Sequence, residues 1–252
     1  MSTPFNLDGQ NAIVTGGGRG LGLEIGRALA CHGANVLLVG RSEDTLAEAC
    51  SDIGAVAGGR VSYFVGDVRS AETAVEAVSR LRELHGPVTI LVNNAQQIAV
   101  APLMQLTRDD FEAGWQSGPL AAVAFMQSAH EDLQQGGVVI NMLSGAGVRW
   151  DMDTFGAYGA AKQAMTAITR TAACEWGPLG IRVLGVMPVG ITDAWTSFEA
   201  AYPEAASEFT DRIPLRRMGS PEEIAQVVAF LCSPIASYMT GSIVKIDGGL
   251  VP

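Results

Sequence analysis

Ala12-Ile13-Val14-Thr15-Gly16-Gly17-Gly18-Arg19-Gly20-Leu21-Gly22 is the stretch on which the fold turns. A short apolar strand runs directly into a glycine-rich turn, and an amphipathic helical pattern at 21–32 follows it. Glycines let the backbone turn tightly and approach a pyrophosphate, which then meets the positive end of a helix. A glycine cluster alone is a weak signal, because turns use glycine anyway. At the first strand–helix junction of a βαβ unit it is a strong one.

Working outward, the alternation continues. Apolar runs at 12–15, 34–39, 61–65, 89–93, 138–142, 182–187 and 243–246 read as buried strands. Helical patterns at 21–32, 43–53, 70–85, 108–134, 157–176 and 221–231 lie between them. Strands apolar on both faces, alternating with helices, imply a parallel sheet covered on both sides. Residues 193–218 break the rhythm with aromatics, charges and two prolines, and read as a helical insertion after a strand. Open α/β folds keep substrate lids at that end of the sheet. Residues 1–252 are read as a single dinucleotide-binding and catalytic domain with this lid.

Composition narrows the function. With 48 % apolar and 17 % charged residues, the chain can build a large core and is a poor candidate for disorder. A net charge of −10 argues against nucleic acid, whose phosphates need clustered Lys and Arg. No apolar run of about 18 residues marks a membrane span, and Met1-Ser2-Thr3-Pro4-Phe5 lacks the regions of a signal peptide. Cys31, Cys50, Cys174 and Cys232 show no C-x-x-C spacing, which suits reduced thiols in a cytoplasm. His32, His85 and His130 have no metal-ligand spacing, and no metal site is expected.

The candidate chemistry lies at Tyr158 and Lys162. Only two lysines occur in the chain, and this one falls four residues after a tyrosine, on the same face of a helix. A nearby ammonium favours the phenolate, so the pair is expected to bring the phenol toward the range useful for acid–base work at neutral pH. The end of the second strand is Gly40 followed by Arg41, and Arg19 lies within the glycine loop. No acid is available there to repel a 2′-phosphate, and two guanidiniums can bind one, which points to NADP rather than NAD.

The glycine loop, Asn93-Asn94-Ala95, Ser144, Tyr158-x-x-x-Lys162 and Gly241-Ser242…Asp247-Gly248-Gly249 together resemble the short-chain dehydrogenase/reductase family over essentially the whole chain. The resemblance implies a single Rossmann-like, doubly wound parallel sheet with helices on both faces. It implies Tyr158 as proton donor to a carbonyl oxygen, Lys162 as the residue that lowers its pKa and holds the nicotinamide ribose, and Ser144 as the group orienting the carbonyl. Cofactor contacts are implied at Gly16, Gly18, Arg19, Gly20, Leu21, Gly22, Arg41, Asp67, Val68, Asn94, Ala95, Pro188, Ile191 and Thr192, besides Tyr158 and Lys162. Arginines at positions 19 and 41 are common in NADP-type members.

The chain also departs from the family pattern. Gly118 stands where most members have an asparagine that holds a relay water beside the lysine. Ser117 or Gln116 is expected to substitute, or else backbone and water alone carry the relay. Gln96 follows Ala95 where glycine is usual, and Val189 follows Pro188 where glycine is usual, narrowing the region beside the nicotinamide. Trp150, Phe155, Trp195 and Phe198 are expected near the substrate, with Gln96 and Val189; packing of the lid against the body is the competing reading of the aromatics. Asp151 and Asp153 add negative charge to the same region. Small residues on one helix, Ala157, Ala160, Ala161, Ala164 and Ala167, are read as an interface of a homotetramer. The expected activity is NADP(H)-dependent reduction of a small-molecule ketone, or oxidation of the matching secondary alcohol. The alternatives are a catalytically silent nucleotide-binding regulator, a lyase-like relative, and a reductase of 3-oxoacyl thioesters.

Overall fold

The computed structural model describes residues 5–57, 60–149 and 153–251. Within them, β1 (Asn11–Thr15), β2 (Asn35–Gly40), β3 (Val61–Val65), β4 (Ile90–Asn93), β5 (Val138–Met142), β6 (Arg182–Pro188) and β7 (Ile243–Ile246) form one sheet. Its order is β3-β2-β1-β4-β5-β6-β7, with every pairing parallel. The expected doubly wound sheet is what the chain forms. Strand order reverses between β1 and β4, which opens a crevice at the carboxyl ends of the strands.

The helices are α1 (Gly20–Cys31), α2 (Glu43–Gly54), α3 (Ala71–His85), α4 (Arg108–Trp115), α5 (Ala121–Leu133), α6 (Gly156–Trp176), α7 (Asp193–Ala201), α8 (Pro203–Asp211) and α9 (Pro221–Cys232). Alternate residues of each strand point to opposite faces. Val14, Leu38 and Val92 therefore pack with Ile25, Leu29 and Val228 under α1 and α9. Ile13, Leu37 and Leu91 pack with Val78, Leu81 and Phe125 under α3 and α5. Each such side chain contributes roughly 1.5–3 kcal/mol on burial, which fixes strand register on both faces.

The helix expected over 108–134 is interrupted. Gln116–Leu120 is a turn of π-helix between α4 and α5, with Pro119 inside it. Proline has no N–H to donate to the preceding turn, and a π turn accommodates that loss. The interruption buries Ser117, Gly118 and Pro119 facing the end of β4. Within 193–218 the insertion holds α7 and α8, tied internally by the rings of Trp195, Phe198, Tyr202 and Phe209.

Candidate active site

The glycine loop is built for close backbone approach. Gly16 has φ +66°, a left-handed conformation that favours glycine. A Cβ on Gly22 would lie 2.1 Å from the Gly16 carbonyl oxygen, so no other residue fits without moving backbone. Arg19 stands at the N-cap of α1 with no side-chain cap, and the first turn holds no acid. The helix start is thus left open to an anion, which fits the pyrophosphate of a dinucleotide.

The Asn94 amide nitrogen donates to the carbonyls of Thr15 (3.0 Å) and Gly16 (3.2 Å). The Thr15 hydroxyl in turn accepts from the backbone N–H groups of Asn94 and Ala95. These bonds clamp the end of β4 to the glycine loop. Arg19 and Arg41 are exposed on neighbouring loops, and Gly16 and Gly17 donate to the Val39 carbonyl between them. Arg19 also lies 3.8 Å from Asp193, linking the glycine loop to the start of α7. Asp67 is gripped by Arg69, which with Arg41 holds its carboxyl below the usual range. Val68 packs against the core, Pro188 ends β6, and Thr192 caps α7 by accepting from the Trp195 N–H. Ile191 is exposed between them.

Ser144, Tyr158 and Lys162 do come together. Ser144 follows β5, accepts from the Ala146 N–H, and places its hydroxyl near enough to the Tyr158 phenol to act on its pKa. Lys162 is buried on α6, donates to the Met142 carbonyl, and its Nζ lies 5.6 Å from the centre of the Tyr158 ring. The electrostatics depart from expectation. Burial pushes the Tyr158 pKa up, and the Ser144 hydrogen bond is what opposes it. Burial also pushes the Lys162 ammonium down, from 10.5 to about 7. Desolvation thus outweighs the attraction that spacing alone suggests, because Lys162 is buried and Tyr158 half-buried, where water solvates charge poorly.

The remaining expected residues divide. Trp150 and Asp151 lie outside the described residues. Phe155 sits beside Tyr158, with ring centres 6.1 Å apart. Trp195 packs within the insertion on Phe198 and Phe209, and Phe209 also carries the Arg149 guanidinium over its ring, so the aromatics join the insertion to the body. Val189 lines a cavity of about 100 Å³ with Leu215, Ile224 and Ile246, separate from the one beside Lys162. Of the expected substitutes for the relay asparagine, Gln116 is exposed, and the Ser117 hydroxyl, which lines the cavity beside Lys162, has its proton committed to the Ala113 carbonyl and accepts from the Gln97 N–H. Gln96 instead covers Gly118, where a Cβ would lie 2.2 Å from its Oε1. Both departures were legible in the sequence; their contact was not. Among the described residues, no group of three or more His, Cys, Asp or Glu is arranged to hold a metal, and no helix is long and apolar enough to cross a membrane.

A family model described as "Enoyl-(Acyl carrier protein) reductase" matches residues 16–251. The 12alpha-hydroxysteroid dehydrogenase of a Clostridium species is 36 % identical over 253 residues, 97 % of each chain. The galactitol 2-dehydrogenase (L-tagatose-forming) of Cereibacter sphaeroides is 36 % identical, over 98 % of this chain and 97 % of its own. The crystal structure of L-sorbose reductase from Gluconobacter frateurii, complexed with NADPH and L-sorbose, superposes with a TM-score of 0.91 at 29 % identity, covering 99 % of both chains. An open dinucleotide cradle next to a serine–tyrosine–lysine cluster defines a class of oxidoreductases, and these likenesses extend along the whole chain. The protein belongs to the short-chain dehydrogenase/reductase family.

Proposed function

We propose that the protein is an NADP(H)-dependent reductase of a small-molecule ketone, equally able to oxidise the matching secondary alcohol. The observation that carries this reading is the gathering of Ser144, Tyr158 and the buried Lys162, whose Nζ lies 5.6 Å from the centre of the Tyr158 ring, at the same end of the sheet as the glycine cradle. A nicotinamide nucleotide held there would supply a hydride for the carbonyl carbon. Tyr158 gives its hydroxyl proton to the carbonyl oxygen, and Ser144 donates a hydrogen bond to that oxygen as negative charge develops on it. Lys162 restores the phenol proton. The raised phenol pKa keeps Tyr158 protonated at neutral pH, which favours reduction there. Oxidation needs the phenolate, so its rate is expected to climb as pH rises into the alkaline range. A pH profile in both directions checks this, and oxidation that peaks on the acid side would contradict it.

NADP(H) is favoured by Arg19 and Arg41 and by the absence of an acid at Gly40; the L-sorbose reductase likeness, bound to NADPH, supports it. Arg41→Ala should raise the KM for NADPH about tenfold or more, the loss of one charge-assisted hydrogen bond, while leaving NADH use nearly unchanged. Equal use of both nucleotides by the unmodified enzyme contradicts the assignment.

A 3-oxoacyl thioester is the second substrate class; the description of the matching family model shares its acyl carrier but names an enoyl group, a C=C rather than a C=O bond. Turnover of a panel holding cyclic ketones, ketoses and 3-oxoacyl thioesters separates the two. Helices α7 and α8, with the aromatic cluster that reaches Phe209 and Arg149, are the lid over this substrate. The enzyme is read as a cytoplasmic homotetramer. Ala160 and Ala167 face outward on α6, Ala164 is half-buried, and Phe111, Trp115 and Leu120 are exposed along α4 and the π turn. Ala157 and Ala161 pack inward and drop out of the interface. Sedimentation at micromolar concentration should show the tetramer; a monomer refutes it.

A further inference from the structure

A cavity beside Lys162 has about 10 Å³ of room for the centre of a water molecule, roughly what one water requires. Its lining includes Thr15, Asn93, Gln96, Ser117, Gly118 and Lys162. Two of its residues carry buried side-chain oxygens without a partner, Asn93 Oδ1 and Gln96 Oε1. Their orientation is set by their other ends. Gln96 Nε2 donates to the Gly114 carbonyl at 2.7 Å, and a carbonyl can only accept, so the amide cannot be turned around. Asn93 Nδ2 donates to Asn141 Oδ1 at 2.8 Å, and Asn141 Nδ2 donates to the Thr169 hydroxyl. That hydroxyl donates onward to the Met165 carbonyl, which fixes the whole chain of donors. Leaving two acceptors buried and unpaired costs roughly 1–3 kcal/mol each, so a donor is demanded here. A water has two protons for the two oxygens and a lone pair for the Lys162 ammonium.

We propose that Gln96, Asn93 and Lys162 hold one ordered water in this cavity, and that Gln96 positions it as the proton partner of Lys162. The proposal rests on the catalytic reading of Lys162 given above. Gly118 is the complement of Gln96: only a residue without Cβ leaves space for the glutamine amide. In reduction, Lys162 passes a proton to the Tyr158 phenolate and takes one back from the water, whose proton the solvent replaces. The titratable group facing Lys162 is Tyr158; the polar cavity residues Thr15, Asn93, Gln96 and Ser117 are neutral.

Gln96→Leu keeps the bulk and removes the acceptor. Turnover should fall about tenfold with the KM for NADPH unchanged, and the kcat profile should shift toward lower pH, because the ammonium loses support. Gln96→Gly should show the same shift, and Gln96→Gly with Gly118→Asn, which returns a carboxamide to the cavity from the other side, should reverse it. A high-resolution crystal structure of the unmodified enzyme should place a water within hydrogen-bond reach of all three groups. Unchanged kcat and pH profile in Gln96→Leu, no recovery in the paired variant, or no water between the three groups each overturns the proposal. If no ketone is turned over, the catalytic reading fails while the crystallographic arm still reports on the water. If ketones are turned over and the water is missing, this inference alone falls.

Discussion

Tyr158→Phe is expected to lower ketone turnover by roughly 10²–10⁴, the usual contribution of a positioned acid–base group, while NADPH binding survives. The substitution keeps the ring that packs beside Phe155 and faces Lys162, and removes only the hydroxyl. The glycine loop and the open start of α1 would hold the nucleotide phosphates, so their affinity should not depend on the phenol. Steady-state kinetics with a fluorescence titration of NADPH separates the two quantities. Near-normal reduction by the variant would overturn the mechanism. The regulatory alternative predicts nucleotide binding with no turnover even in the unmodified protein, and the lyase-like alternative predicts turnover without nucleotide.

Lys162→Met is expected to abolish turnover and at the same time to change how stability depends on pH. Burial lowers the folded-state pKa of Lys162 from 10.5 to about 7. Between those values the unfolded chain binds the proton that the folded chain releases, so stability rises with pH, by up to about 1.4 kcal/mol per unit for this one group. The penalty of the buried ammonium is fully present below about pH 7 and gone above 10.5. The methionine variant lacks that penalty but leaves the Met142 carbonyl without its lysine donor, so its stability at any one pH is a balance. The clean readout is the difference in Tm between variant and parent, which should be most favourable to the variant near pH 6 and shrink toward pH 10. A chain of this size moves about 2–4 °C per kcal/mol, well within reach of calorimetry. A difference independent of pH would show that Lys162 is not desolvated as described.

The strands and most helices were legible in sequence because their signals are local. A two-residue period or a continuous apolar run needs no knowledge of what packs against it, and 61–65, 138–142 and 243–246 match β3, β5 and β7 end to end. The helix over 108–134 was read as continuous because its apolar periodicity carries across the π turn, although Pro119 marked the break. The nucleotide cradle was legible for the same local reason, down to the glycine that must lie against the Gly16 carbonyl. What Asn94 does within the chain was not legible: only the folded arrangement shows its amide nitrogen donating to the Thr15 and Gly16 carbonyls.

By itself the amino-acid sequence determined the parallel sheet, the glycine loop, the absence of an acid after β2, and the presence of Ser144 and of Tyr158 four residues before Lys162. Each is a matter of residue type and interval along one segment. Tertiary structure decided the rest. It buried Lys162 and half-buried Tyr158, which reversed the expected direction of the phenol shift, since desolvation depends on everything packed around a group. It also brought Gln96 from the end of β4 over Gly118 in the π turn. Two separate departures from a pattern thereby became one complementary contact, because only folding sets which side chain fills the space a missing Cβ leaves.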